Sequence, residues 1–221
     1  MEINQDDFKH MNQLADWFEE HKEEIPNCER IIQKLRKNQL LGHLVNAEFA
    51  KRFFIDGVYK ITDIEASNGI HDIDMQLDNR INIQTWHGQS TAGHIIESQF
   101  DEERKQKNTQ LGNISSLGGV KTDWEKDCQV MSKKLKQLPD DKLGIVLLLD
   151  RFVGVTVLPE WWEEIPDKKC VIKLSFTSYD VGFNNVYGEA VVYHSNNFQQ
   201  MEEVKKVINS IGFSFKAENI P

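Results

Sequence analysis

Residues 143–149, LGIVLLL, are apolar at every position except one glycine. A half-exposed strand alternates apolar and polar side chains, because successive side chains point to opposite faces. A short unbroken apolar run demands cover on both faces, the condition of a strand in the middle of an α/β sheet. The run therefore predicts an α/β fold with a central mixed sheet, and the rest of the chain must supply the layers around it.

Helical spacing recurs along the chain. Phe8, Met11, Leu14, Ala15 and Phe18 share one face of a first helix. Pro26 and Asn27 interrupt it, and Asn27 is placed to cap a second helix carrying Ile31, Ile32 and Leu35. A third helix is predicted over 39–54, ended by Asp56-Gly57. TDWE (122–125) has the form of a capping box. Trp124, Cys128, Met131, Leu135 and Leu138 follow it at steps of four, three, four and three, as far as Pro139. A last helix is expected over 197–210, with Gly212 beyond its end. Strands are expected at 57–65, 170–176 and 189–194, and at 152–159 as a partner for 143–149. PEWWEEI (159–165) reads as a short helix and FSF (213–215) as a short closing strand. Residues 88–121, rich in Gly, Ser, Asn, Gln and charge, read as an inserted loop with one short helix near 95–107.

The stretch HDIDMQLDNRINIQTWHG (71–88) reads as a hairpin, and its register can be derived. A two-residue loop at Asp78-Asn79 would pair Ile73 with Gln84 and leave both faces mixed. A three-residue loop, Asp78-Asn79-Arg80, pairs Leu77 with Ile81, Met75 with Ile83 and Ile73 with Thr85, and one face becomes apolar. A one-residue slip exchanges the faces, so burial selects the second register. The other face then carries Asp72, Asp74, Gln76, Asn82, Gln84 and Trp86.

With 221 residues, 39% hydrophobic and 28% charged, the chain matches a soluble globular composition. We read it as a single domain over 1–221, with an N-terminal helical segment (1–38), a core (39–158) and a C-terminal αβ extension (159–221). No apolar run approaches the roughly 18 residues that cross a bilayer, and MEINQDDFKHMNQ lacks the pattern of a signal peptide. The expectation is a cytoplasmic protein with no membrane partner. Cys28, Cys128 and Cys170 are widely spaced and read as buried free thiols. A net charge of −9 opposes tight non-specific nucleic-acid binding while leaving room for a local basic face. Phosphate-loop, nucleophile-elbow, HExxH and GxGxxG patterns are missing.

Between residues 39 and 149 the expected order is helix, three strands, helix, strand. Asp74 lies on the second strand, and Gln84 lies in the apolar third strand INIQTW. This pattern resembles the core of the PD-(D/E)xK, or restriction-endonuclease-like, superfamily, and the resemblance covers about half the chain. It implies an αβββαβ core in which Asp74 is a metal-binding and catalytic carboxylate. Gln84 takes the acid-or-glutamine position, and Glu48 of the preceding helix is an additional catalytic carboxylate. Mg2+ is the implied cofactor and DNA or RNA the implied partner. Trp86 stands where the family has lysine, and indole offers one neutral N–H and no basic group. The resemblance therefore implies a degenerate or inactive metal-dependent phosphodiesterase, or an active one if a lysine has migrated from a neighbouring element. Lys60, Lys126 and Lys133 are candidates for that role. The KKLK stretch sets Lys133 and Lys134 on a helix that could touch phosphate, with Asp72 and Trp86 as further binding positions.

Plainer roles compete for the same residues. Asp72, Asp74 and Gln84 also suit a solvated hairpin face, and Asp78 suits turn chemistry. Glu48 is placed to pair with Arg52 one turn on. His71, His87 and His94 lie near the hairpin without a zinc-ligand spacing. Trp161 and Trp162, among three glutamates, suit core packing or a protein contact. The alternative function is thus a non-catalytic interaction or assembly module with a protein partner.

Overall fold

A computed structural model describes residues 5–37, 41–67, 72–87, 130–150, 165–178 and 187–219. Three helices come first: α1 (Gln5–Glu20), α2 (Cys28–Lys37) and α3 (Leu41–Asp56). Strands β1 (Ile61–Ser67), β2 (Asp72–Leu77) and β3 (Ile81–His87) follow, then a helix over 130–137, here α4. The order closes with β4 (Leu143–Asp150), β5 (Lys169–Ser178), β6 (Tyr187–His194), a helix α5 (Met201–Ser210) and β7 (Phe213–Asn219).

All seven strands form one mixed sheet in chain order, β1 to β7. The β1–β2, β2–β3 and β5–β6 pairs are antiparallel, and β3–β4, β4–β5 and β6–β7 are parallel. The 143–149 run lies in the middle, as its composition requires. Ile145, Leu147 and Leu149 point into a large core shared with α1, α2, α3 and α5, while Val146 and Leu148 point into a smaller core under α4. Both edges of β4 are taken by β3 and β5. The expected partner strand at 152–159 lies outside the described residues, as do the proposed loop helix near 95–107 and most of PEWWEEI.

Local chemistry explains the boundaries. Gly57, at φ 70°, allows the turn that ends α3, so β1 begins at Ile61 rather than at residue 57. Asn27 adopts φ 59°, and its side chain donates to Asp63 Oδ1 at 2.8 Å instead of capping α2. The hairpin has the expected register, Leu77↔Ile81 and Met75↔Ile83. Its turn places Asp78 and Asn79 at positive φ and closes through Arg80 N–H to Leu77 O at 3.0 Å. Arg80 then reaches Glu203 of α5 at 2.7 Å, which fixes the turn to the helical layer. Cys28 and Cys170 are buried free thiols. Among the described residues no helix is long and apolar enough to cross a membrane.

Candidate functional site

The β2–β3 ladder runs from Leu77↔Ile81 to Met75↔Ile83 and ends there. β2 stays paired with β1 as far as Asp72↔Ser67, and β3 stays paired with β4 as far as His87↔Leu149. The two strands therefore part, and the pairings expected from sequence for Ile73, Asp74 and Asp72 across to β3 do not form. Where the ladder ends, the Thr85 N–H donates to Asp74 Oδ2 at 2.6 Å. A side-chain carboxylate has replaced a backbone carbonyl.

Polar side chains converge on this opening from both faces of the sheet. The Thr85 hydroxyl lies 3.1 Å from Asp74 Oδ2 and against Asn46 Oδ1 of α3. Asn46 Nδ2 donates to Glu65 Oε1 at 3.4 Å, and the Lys34 ammonium of α2 pairs with the other oxygen of Glu65. Glu65 adopts φ 53°, a region that costs a non-glycine residue energy, and Arg30 holds its carbonyl at 2.8 Å. From the other face, Lys134 Nζ of α4 donates to Gln84 Oε1 at 2.9 Å. The arrangement is thus a chain from Lys34 through Glu65, Asn46 and Thr85 to Asp74, with the Lys134–Gln84 pair on its far side.

Burial and neighbouring charge set the protonation of these groups. Burial pushes the Asp74 carboxyl above the ordinary carboxylate range. Lys134 and the Thr85 N–H oppose that push, and Glu65 adds to it. Burial pulls the Lys134 ammonium below the ordinary lysine range, against the attraction of Asp74 and Glu65. His43, one turn before Asn46 on α3, is lowered by burial and then by Lys34, while Asp74 opposes.

The residues singled out by sequence fall in different places. Asp74, Gln84 and Lys134 come together. Trp86 packs against the apolar cluster of Met131, Leu135 and Leu148, so the lysine position of the resemblance is used for packing. Glu48 is buried and pairs with His10 of α1. It stands two positions from Asn46, about 200° around the helix, so it faces away when Asn46 faces Thr85. Arg52 donates to Ile211 O at 2.7 Å, and the Glu48 charge favours its cation. Lys133 and Lys136 are exposed on α4. Lys60 is exposed, and its backbone pairs with Asp78 at the turn end of the hairpin. Lys126, His71, His94, Trp161, Trp162 and the side chains of Asp72 and His87 lie outside the described residues.

Sequence reasoning missed Glu65, Asn46, Thr85, Lys34 and His43 as members of the cluster. The signal for two of them was present. Asn46 interrupts the apolar sequence of α3, and Thr85 continues the apolar face of Ile81 and Ile83. Buried polar residues in such places require partners.

The Asp74 carboxylate and the Gln84 amide oxygen are hard oxygens, the donor type magnesium takes, and magnesium is commonly held by one or two carboxylates with several waters. Among the described residues no group of three His, Cys, Asp or Glu side chains is placed to hold a metal, so the site does not fit zinc. Comparison of the chain with protein-family models, curated proteins and solved structures found no match.

Proposed function

We propose that the opening between β2 and β3 is a phosphodiester-handling site of the nuclease type, in which Lys134 replaces the lysine that Trp86 displaces. The observation that carries this reading is the 2.9 Å contact between Lys134 Nζ and Gln84 Oε1, beside the carboxylate of Asp74. The ammonium comes from α4 instead of β3, yet it sits against the same two side chains that the resemblance pairs with a lysine. Lys134 also places a cation beside Asp74, and a cation at that point suits a phosphate oxygen better than an apolar protein contact.

In this reading Asp74, with Gln84, would hold a magnesium ion, which supplies Lewis-acid polarisation of a phosphoryl oxygen and a more acidic water. Lys134 orients the phosphate and stabilises charge developing on its oxygens, and the lowered proton affinity of its amine also suits it to proton transfer. Thr85 fixes Asp74 through two contacts to one oxygen, and among the described residues the other oxygen is left for the ligand. Asn46 and Lys34 restrain Glu65 from the opposite face of the sheet.

The test combines calorimetric titration of Mn2+ and Mg2+ into wild type and Asp74→Ala with cleavage assays on single- and double-stranded DNA and RNA. Metal uptake lost in Asp74→Ala, with cleavage falling about a hundredfold or more in Lys134→Met, is the expected result. Lys134→Met should unfold at the same temperature as wild type or higher. The folded state disfavours the buried ammonium, and methionine keeps the stem. A wild type that neither takes up metal nor cleaves any of the four substrates overturns the reading in favour of a non-catalytic module.

A further inference from the structure

Lys169 is the first residue of β5, and its side chain is buried. Its ammonium donates to Leu135 O of α4 at 2.8 Å and pairs with Asp140 Oδ1 at 2.6 Å. Leu135 O belongs to the last turn of α4, where it also accepts from the Leu138 N–H at 3.3 Å and where the helix dipole favours a cation. A cation delivered there from the sheet fixes the carboxyl end of α4 in height and rotation above β4 and β5. Lys134 is the residue immediately before Leu135.

Gly144 of β4 makes room for this arrangement. It pairs with Lys169 across the β4–β5 ladder. A Cβ at Gly144 would meet Lys169 Cγ at 3.1 Å and Leu138 Cβ at 3.2 Å. The missing side chain thus lets the Lys169 stem and the end of α4 approach the same point of the sheet. A buried lysine is costly to desolvate, and a leucine or methionine could fill this apolar space without that cost. What the ammonium adds is a directional contact that apolar packing cannot provide.

We propose that Lys169 is a positioning residue, holding α4 in the register that sets Lys134 on Gln84. Its bearing on chemistry rests on the reading of Lys134 given above, but its geometry can be tested without it. The experiment is native-state acylation of lysine amines read by peptide mass spectrometry, using Lys133 and Lys136 as exposed references on the same helix. In wild type, Lys134 should react more slowly than Lys133. In Lys169→Met its rate relative to Lys133 should rise about fivefold, the effect of losing one net hydrogen bond. Asp140→Asn keeps the Lys169 contact to Leu135 O and should leave the ratio unchanged. If Lys169→Met fails to fold, Gly144→Ala offers a milder displacement of the same stem and should raise the ratio in the same direction.

An unchanged ratio in the folded variant overturns the inference, as does an equal rise in Asp140→Asn. Oligonucleotide cleavage provides the second readout. If Lys169 acts through Lys134, the Lys134→Met/Lys169→Met double variant is no slower than Lys134→Met alone, whereas losses that multiply overturn the inference. A ratio that rises in a protein with no cleavage of any substrate retains Lys169 as the positioning residue and removes the nuclease reading instead.

Discussion

At the scale of single residues, the cluster is held by contacts that trade stability for placement. Thr85 spends both its N–H and its hydroxyl on Asp74 and Asn46, and Asp74 and Lys134 remain partly desolvated beside each other. His43 offers a measurable consequence. Its imidazole is lowered by burial and by Lys34, so the unfolded chain takes up a proton near pH 6.5 that the folded state still refuses. Stability contributed by keeping His43 neutral is therefore present above about pH 6.5 and is lost as pH falls from there toward the folded-state value. His43→Gln should flatten the wild-type decline in urea midpoint over that interval. A decline equally steep in the variant would show that His43 is not the group responsible.

At the scale of elements, the hairpin was the most legible part of the chain. Alternation of apolar residues chose between two registers, and the chosen register is the one observed. Its turn depends on two side chains that tolerate the left-handed region, Asp78 at φ 50° and Asn79 at φ 57°. Asn79→Val should cost about 1–2 kcal/mol in urea unfolding, while Asn79→Gly should cost nothing or stabilise slightly. A neutral valine would mean that the turn relaxes to another conformation without penalty. Helix α4 was partly legible too. The Met131, Leu135 and Leu138 stripe identified its buried face, and Lys134, three residues after Met131 and four before Leu138, flanks that stripe. Reading the phase of the helix more closely would have singled out Lys134 ahead of Lys133.

At the scale of the whole molecule, seven strands separate two apolar layers of unequal size. The larger layer joins α1, α2, α3 and α5 to one face, and the smaller one joins α4 to the other. Cys170 lies on the central β5 and is fully buried, and burial drives its thiol far above the ordinary range. It should react with a thiol reagent only as fast as the sheet opens. Its labelling rate should then climb with urea along the global unfolding transition. A rate insensitive to urea would show that β5 opens locally, against the two-sided packing seen here.

Sequence by itself determined what short-range patterning can encode. The α/β class follows from an apolar run that no one-sided sheet could bury, the hairpin register from a period of two, and the buried helix faces from a period of 3.6. Tertiary structure decided which neighbours meet. No local pattern shows that β5 lies beside β4, because strand partners are chosen by the whole sheet. Likewise, Glu48 turns to His10 while Asn46 turns to Thr85, a division set by how α3 is rotated against α1 and the sheet. The cluster around Asp74 exists only because β2 and β3 part beyond Met75 and Ile83, admitting α3 from one face and α4 from the other. Its members come from positions 34 to 134, and only the fold brings them within hydrogen-bonding distance.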